Sequence, residues 1–175
     1  MKNTLLVIAL SLLSFLVAAQ SVDIELMEQD AVRTVIHLTP NVTTNAILAN
    51  VVFTLQWPQV GYGPMLLGTP SCDITTFELV GEPQTHMGSV YQVLVSLESG
   101  STSLYEGQPV IITIPLSGTA PLSIAGDQYT DSVLNGKFYV SLGGQDATGS
   151  ILFNQSTGIT SPSSDSSWYY DIDTR

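Results

Sequence analysis

Between residues 22 and 154, apolar and polar residues alternate with a period of two, in short runs rich in Val, Ile, Thr, Phe and Tyr. This is the pattern of strands that turn one face to a core and the other to water. Asp23 and Glu25 separate Val22, Ile24 and Leu26, and Val35 and His37 separate Thr34, Ile36 and Leu38. In the clearest run, residues 51–57, Val51, Phe53, Leu55 and Trp57 share one face and Thr54 and Gln56 the other. Trp57 is therefore expected in the core. Further runs at 75–80, 90–97, 110–114, 122–125, 137–142 and 150–154 bring the total to about nine strands.

Turn chemistry separates these runs: Thr39-Pro40-Asn41, Gly68-Thr69-Pro70, Ser99-Gly100-Ser101 and Ser117-Gly118. Asn135-Gly136 before Lys137-Phe138-Tyr139-Val140 predicts a two-residue hairpin, since both residues tolerate the positive φ of a type I′ turn. No long helical period occurs in this region. The expected fold is all-β, a two-sheet jelly-roll β-sandwich of about nine strands occupying residues 20–155.

The ends of the chain follow other rules. Lys2, an apolar stretch over residues 5–17 and the small residues Val17-Ala18-Ala19 form a secretory signal pattern, with cleavage expected before Gln20. The apolar run falls short of the ~20 residues that a membrane span needs, and acidic residues rather than basic ones follow it. No membrane span is expected in the mature chain, which is expected to be secreted or held at the cell surface. Residues 156–175 are rich in Ser and end in Trp168-Tyr169-Tyr170-Asp171-Ile172-Asp173, a tail or linker in composition.

Charge narrows the partners. The formal net charge of −11 becomes −12 once Lys2 leaves with the leader, and Arg33, Lys137 and Arg175 are the remaining fixed cations. Nucleic acid is excluded as a partner because phosphate contacts need clustered Lys and Arg, and docking on anionic headgroups fails for the same reason. An extracellular protein or glycan remains. Cys72 is the only cysteine, so the fold cannot depend on an internal disulfide; the residue reads as a small apolar packing group.

Several segments together resemble the cohesin-like β-sandwich domains of exported Bacteroidetes-type surface proteins, within the carbohydrate-binding-module and cohesin superfamily. The segments are Val35-Ile36-His37-Leu38-Thr39-Pro40-Asn41, the strand ending in Trp57-Pro58, and Gly126-Asp127-Gln128-Tyr129-Thr130-Asp131 followed by residues 135–146. The resemblance covers roughly residues 22–154. It implies a jelly-roll and a non-catalytic module for adhesion or assembly, with carbohydrate binding as the alternative use of the same fold.

Little in the chain points to catalysis. There is no G-x-S-x-G elbow, and the two histidines, His37 in a strand and His86 in the segment Gln84-Thr85-His86-Met87-Gly88, have no triad context. A zinc site lacks clustered Cys and His, and no enzyme activity is expected. Structural calcium is the one cofactor with candidate ligands: Asp127 and Asp131 flank an aromatic loop, and Asp146 follows Gly143-Gly144. For ligand binding, the candidate rings are Tyr62 between two glycines, Tyr105 and Tyr129, whose flat apolar faces suit sugar rings or protein side chains. Thr54, Gln56, Gln92, Ser96 and Thr113 are expected on polar sheet faces, available to a flat partner or simply wet.

Overall fold

In the computed structural model, residues 19–96 and 103–152 are described; the segments expected to be leader and Ser-rich tail lie outside them. Twelve strands are present among the described residues: β1 (Val22–Gln29), β2 (Arg33–Pro40), β3 (Leu48–Pro58), β4 (Leu66–Leu67), β5 (Ser71–Cys72), β6 (Glu78–His86), β7 (Ser89–Ser96), β8 (Val110–Ser117), β9 (Ser123–Ile124), β10 (Tyr139–Leu142), β11 (Gln145–Asp146) and β12 (Thr148–Leu152). Among the described residues one short helix, α1 (Gln128–Ser132), interrupts the series. The nine predicted runs each have a counterpart; β4, β5 and β11, two residues apiece, were too short to show a period. No described helix is long and apolar enough to cross a membrane.

The strands form two sheets packed face to face as an all-β sandwich. The first runs β12-β1-β2-β8, with β4 and β5 pairing along β8; the second runs β11-β10-β3-β7-β6, with β9 pairing on β3. The first and last strands, β1 and β12, pair in parallel at the edge of the first sheet. Most other described pairs are antiparallel. The chain crosses between sheets after β2, β3, β5, β7, β8 and β11.

Register explains the core. Ile24 lies opposite Leu38 and Ile36 opposite Ile112, so these inward residues stack across the first sheet. Phe53 opposite Leu94 and Trp57 opposite Val90 do the same in the second. Trp57 is buried, as the parity of its strand requires. Phe53 and Phe77 meet edge to face with centroids 5.9 Å apart, a geometry that favours the ring quadrupoles. Thr34, buried among these apolar groups, donates its hydroxyl to the Glu28 carbonyl (2.8 Å) beside a bulge in β1. The Gln29 side chain ties the end of β1 to the β8–β9 connection, donating to the Ala120 carbonyl and accepting from the Leu122 N–H.

Two expectations fail for physical reasons. Asn135-Gly136 does not turn a hairpin, because the residues before it are helical rather than extended. Asn135 takes φ 50° just past α1, and the Gly136 N–H bonds the Thr130 carbonyl. A Cβ at Gly136 would overlap the Thr54 hydroxyl, so the glycine permits close approach of the chain to β3. Two-residue turns with positive φ occur elsewhere, at Met87-Gly88 between β6 and β7 and at Gly143-Gly144 between β10 and β11. The second failure concerns the polar face. Gln92 and Ser96 lie opposite Leu55 and Val51 and are buried on the core side, while Thr54 is buried under Gly136. Gln56 and Thr113 alone of the five are half-exposed.

Candidate functional site

Beyond β9 the chain leaves the edge of β3, forms α1, and rejoins that edge as β10. The Ala125 N–H bonds the Thr54 carbonyl, and the Thr54 hydroxyl donates to the Gly136 carbonyl at 2.9 Å, so both ends of the excursion are fixed to one residue. Residues 126–137 therefore pass over the outer side of the second sheet before Phe138 turns into the core. They bury Thr54 and Tyr91, whose register points them away from the core.

Asp127 starts the helix. Its Oδ1 accepts the Thr130 N–H (2.9 Å) and the Thr130 hydroxyl (2.6 Å), the bonding of an N-cap. Its Oδ2 accepts the Tyr91 hydroxyl at 2.8 Å, and that oxygen in turn accepts from the Gln56 amide at 3.1 Å. Partial burial pushes the Asp127 carboxyl up, but the Thr130 hydroxyl and N–H, the Tyr91 hydroxyl and nearby His86 outweigh it and hold it below its ordinary value. Tyr91 moves the other way. Burial, then its bond to Asp127 and the charge there, raises its phenol above the usual range.

Tyr129 sits between aromatic neighbours. The His86 ring stacks on it with centroids 4.0 Å apart and planes 4° from parallel, and Tyr91 meets it edge to face at 5.0 Å. His86 closes β6 and is half-buried rather than a free loop residue. Beside the rings is a groove of about 390 Å³, lined by Asp127, Gln128 and Ser132 together with the exposed Met87 and Val133.

The other predicted residues lie apart from this cluster. Tyr105 is exposed and lines a smaller cavity of about 190 Å³ with Ile74, Pro109 and Ile111. Tyr62 is exposed in the turn after β3. Of the three tyrosines the groove takes only Tyr129. No three acidic, His or Cys side chains among the described residues form a metal-holding group, so the three aspartates considered for calcium do not share one cluster. Each aspartate is engaged separately. Asp127 caps α1, Asp131 pairs with Lys137 at 3.5 Å, and Asp146 accepts the Thr148 N–H at 2.9 Å. The hydroxyl and N–H of Thr148 hold the Asp146 carboxyl below its ordinary value. His37 is half-buried on the outer face of the first sheet, opposite Glu25 and Ile111. Cys72 is half-buried and packs against the core.

Sequence reasoning missed Tyr91 and the His86 stack, because neither is visible without the β3–β7–β6 register. It also missed the cap, although Asp127 three residues before Thr130 carried a readable signal.

The outer surface of the second sheet has a second feature. Tyr139, Val52 and Val95 stand side by side across β10, β3 and β7, and Val93 is beside Val80 across β7 and β6. Residues directly opposite on antiparallel strands share a face, so these five form an apolar stripe next to the excursion. Tyr139 is 37% and Val80 47% exposed, and the three valines between them are half-exposed. No protein-family model matches the chain, and neither the curated proteins nor the solved structures provide a match.

Proposed function

We propose that this chain is an extracellular, non-catalytic binding module of cohesin-like type. It engages a protein partner on the outer face of the second sheet, at the bacterial surface. The observation that carries the reading is the apolar stripe of Tyr139, Val52, Val95, Val93 and Val80. A contiguous apolar strip on an outer sheet face is a common mark of contact with another molecule. The signal pattern at the N-terminus supports export, and the strongly acidic composition favours a basic protein over nucleic acid.

The test is affinity capture from the extracellular fraction of the producing organism. A specific partner retained by the wild type should be lost from Val80→Glu and Tyr139→Glu variants that melt like the wild type, while His37→Glu on the opposite sheet should retain it. The glycan reading rests on a different observation, the exposed Tyr105 beside its own cavity. Saturable binding on a glycan array, abolished by Tyr105→Ala or Tyr62→Ala, would replace the protein partner with a polysaccharide.

A further inference from the structure

We infer that the groove between α1 and the β6–β7 turn receives a cationic side chain, an ammonium or guanidinium group, presented by the partner. The inference rests on the protein-binding reading and adds the chemistry of the partner's anchor. Three observations lead to it.

The first is charge without a counter-charge. Among the described residues the ion pairs are Arg33 with Glu28 and Asp30, and Lys137 with Asp131; none reaches Asp127. Asp127 accepts three hydrogen bonds, two on Oδ1 and one on Oδ2. An ionised carboxylate offers about four acceptor positions, so one on Oδ2 is left, and Asp127 lines the groove. The second is the surroundings of that carboxylate. Tyr91, Tyr129 and His86 line the same groove, and aromatic rings attract cations through their quadrupoles. Met87 and Val133 supply apolar contact for the methylene stem that carries such a group. The third is location. His86 and Tyr91 lie on the same outer sheet face as the apolar stripe, so one partner surface can span both. With a net charge of −11, the whole chain also favours approach of a cation over an anion.

A neutral sugar would have no need of the uncompensated carboxylate, which separates the two ligand classes experimentally. The probes are acetyl-Gly-Lys-Gly-amide, its arginine counterpart and its Nε-acetyl-lysine version, titrated into the isotope-labelled protein and followed by NMR. Saturable shifts are expected at His86, Tyr91 and Tyr129 with the lysine and arginine peptides and not with the acetylated one. Asp127→Asn should weaken binding about tenfold and keep the fold, because Asn caps a helix about as well as Asp. Tyr129→Ala should weaken binding by a similar factor, and Glu25→Gln on the first sheet should leave it unchanged. Equal binding of the acetylated peptide, an equal loss in Glu25→Gln, or saturation of the same residues by a neutral oligosaccharide would each overturn the inference. Loss of peptide binding leaves the stripe untouched, so partner capture sensitive to Val80→Glu would still stand if the groove failed. A groove that binds the peptides while capture ignores Val80→Glu would refute the stripe alone.

Discussion

The two sheets present outer faces of different character. On the first, the register sets Leu152, Glu25, His37 and Ile111 in one row and Asp23 beside Thr39 in another, so polar groups separate the apolar ones. That face meets solvent with hydrophilic side chains at most positions and carries no chain crossing it among the described residues. On the second, the same period-two alternation places Val52, Val93 and Val95 outward alongside Thr54 and Tyr91. Part of this surface is covered by the excursion from β9 to β10, and the rest is the open stripe. A sandwich whose only need is an inner core can leave both outer faces like the first. The second face is partly covered by the excursion, and its open part carries the apolar stripe.

The comparison is broken most severely by detaching the excursion from the sheet. Gly136→Val would drive a branched side chain into the Thr54 hydroxyl and the Val93 methyl beneath it. A loss of about 3 kcal/mol in denaturant unfolding is expected, at the upper end for overpacked sites. Amide exchange should then be faster across residues 125–138 and at Thr54 beneath them. A stability within 0.5 kcal/mol of wild type would mean that the excursion contributes little to the fold.

Tyr91→Phe is a smaller intervention in the same place. It keeps the ring under α1 but removes the hydroxyl that donates to Asp127 and accepts from Gln56. Leaving a covered polar network without one member should cost about 1–2 kcal/mol, read as a lower midpoint with unchanged slope. Asp127→Ala comes next, with about 1 kcal/mol for the lost cap. Its pH dependence has a definite sign. The carboxyl titrates below its ordinary value in the folded state, so its stabilisation is fully present above ~3.9 and disappears as pH falls through the lower folded value. The stability gap between wild type and Asp127→Asn should therefore shrink on acidification below pH 4, by well under the value of the cap because the group is solvent-exposed.

These residues also mark how far the sequence could be read. The inner faces were legible because alternation is a local signal. Val51, Phe53, Leu55 and Trp57 announce one buried face within seven residues, and all four are buried. The outer faces were not, since covering an outward residue depends on a segment distant in the chain. Thr54 looked like a solvent-facing residue and is buried by Gly136, 82 positions away. Gln92 failed for a different reason: its strand reads Tyr91-Gln92-Val93-Leu94, apolar on both sides, so parity alone gave no face. Pairing opposite Leu55 turns it inward, where its amide bonds the Val80 and Gly81 carbonyls at a bulge in β6. The helix escaped notice because five residues complete too little of a 3.6-residue period to stand out. Of the groove, Tyr129 and Asp127 were singled out, Tyr129 for its ring and Asp127 as a calcium ligand, whereas its visible role is to cap α1. Tyr91 needed the register.

The smallest expected effect tests the first face. His37→Ala and Glu25→Gln change half-buried outward residues that face each other on neighbouring strands. Surface changes of this kind usually stay within about 0.5 kcal/mol. Thermal melts of both variants should overlay the wild type, and neither should alter partner capture. Val80→Thr, a matched change on the second sheet, should be equally mild for stability because Val80 is 47% exposed, yet it should weaken capture by removing apolar contact. If His37→Ala reduced capture as much as Val80→Thr while both folded normally, the two faces would be equivalent toward a partner. The distinction drawn from their composition would then hold for folding alone.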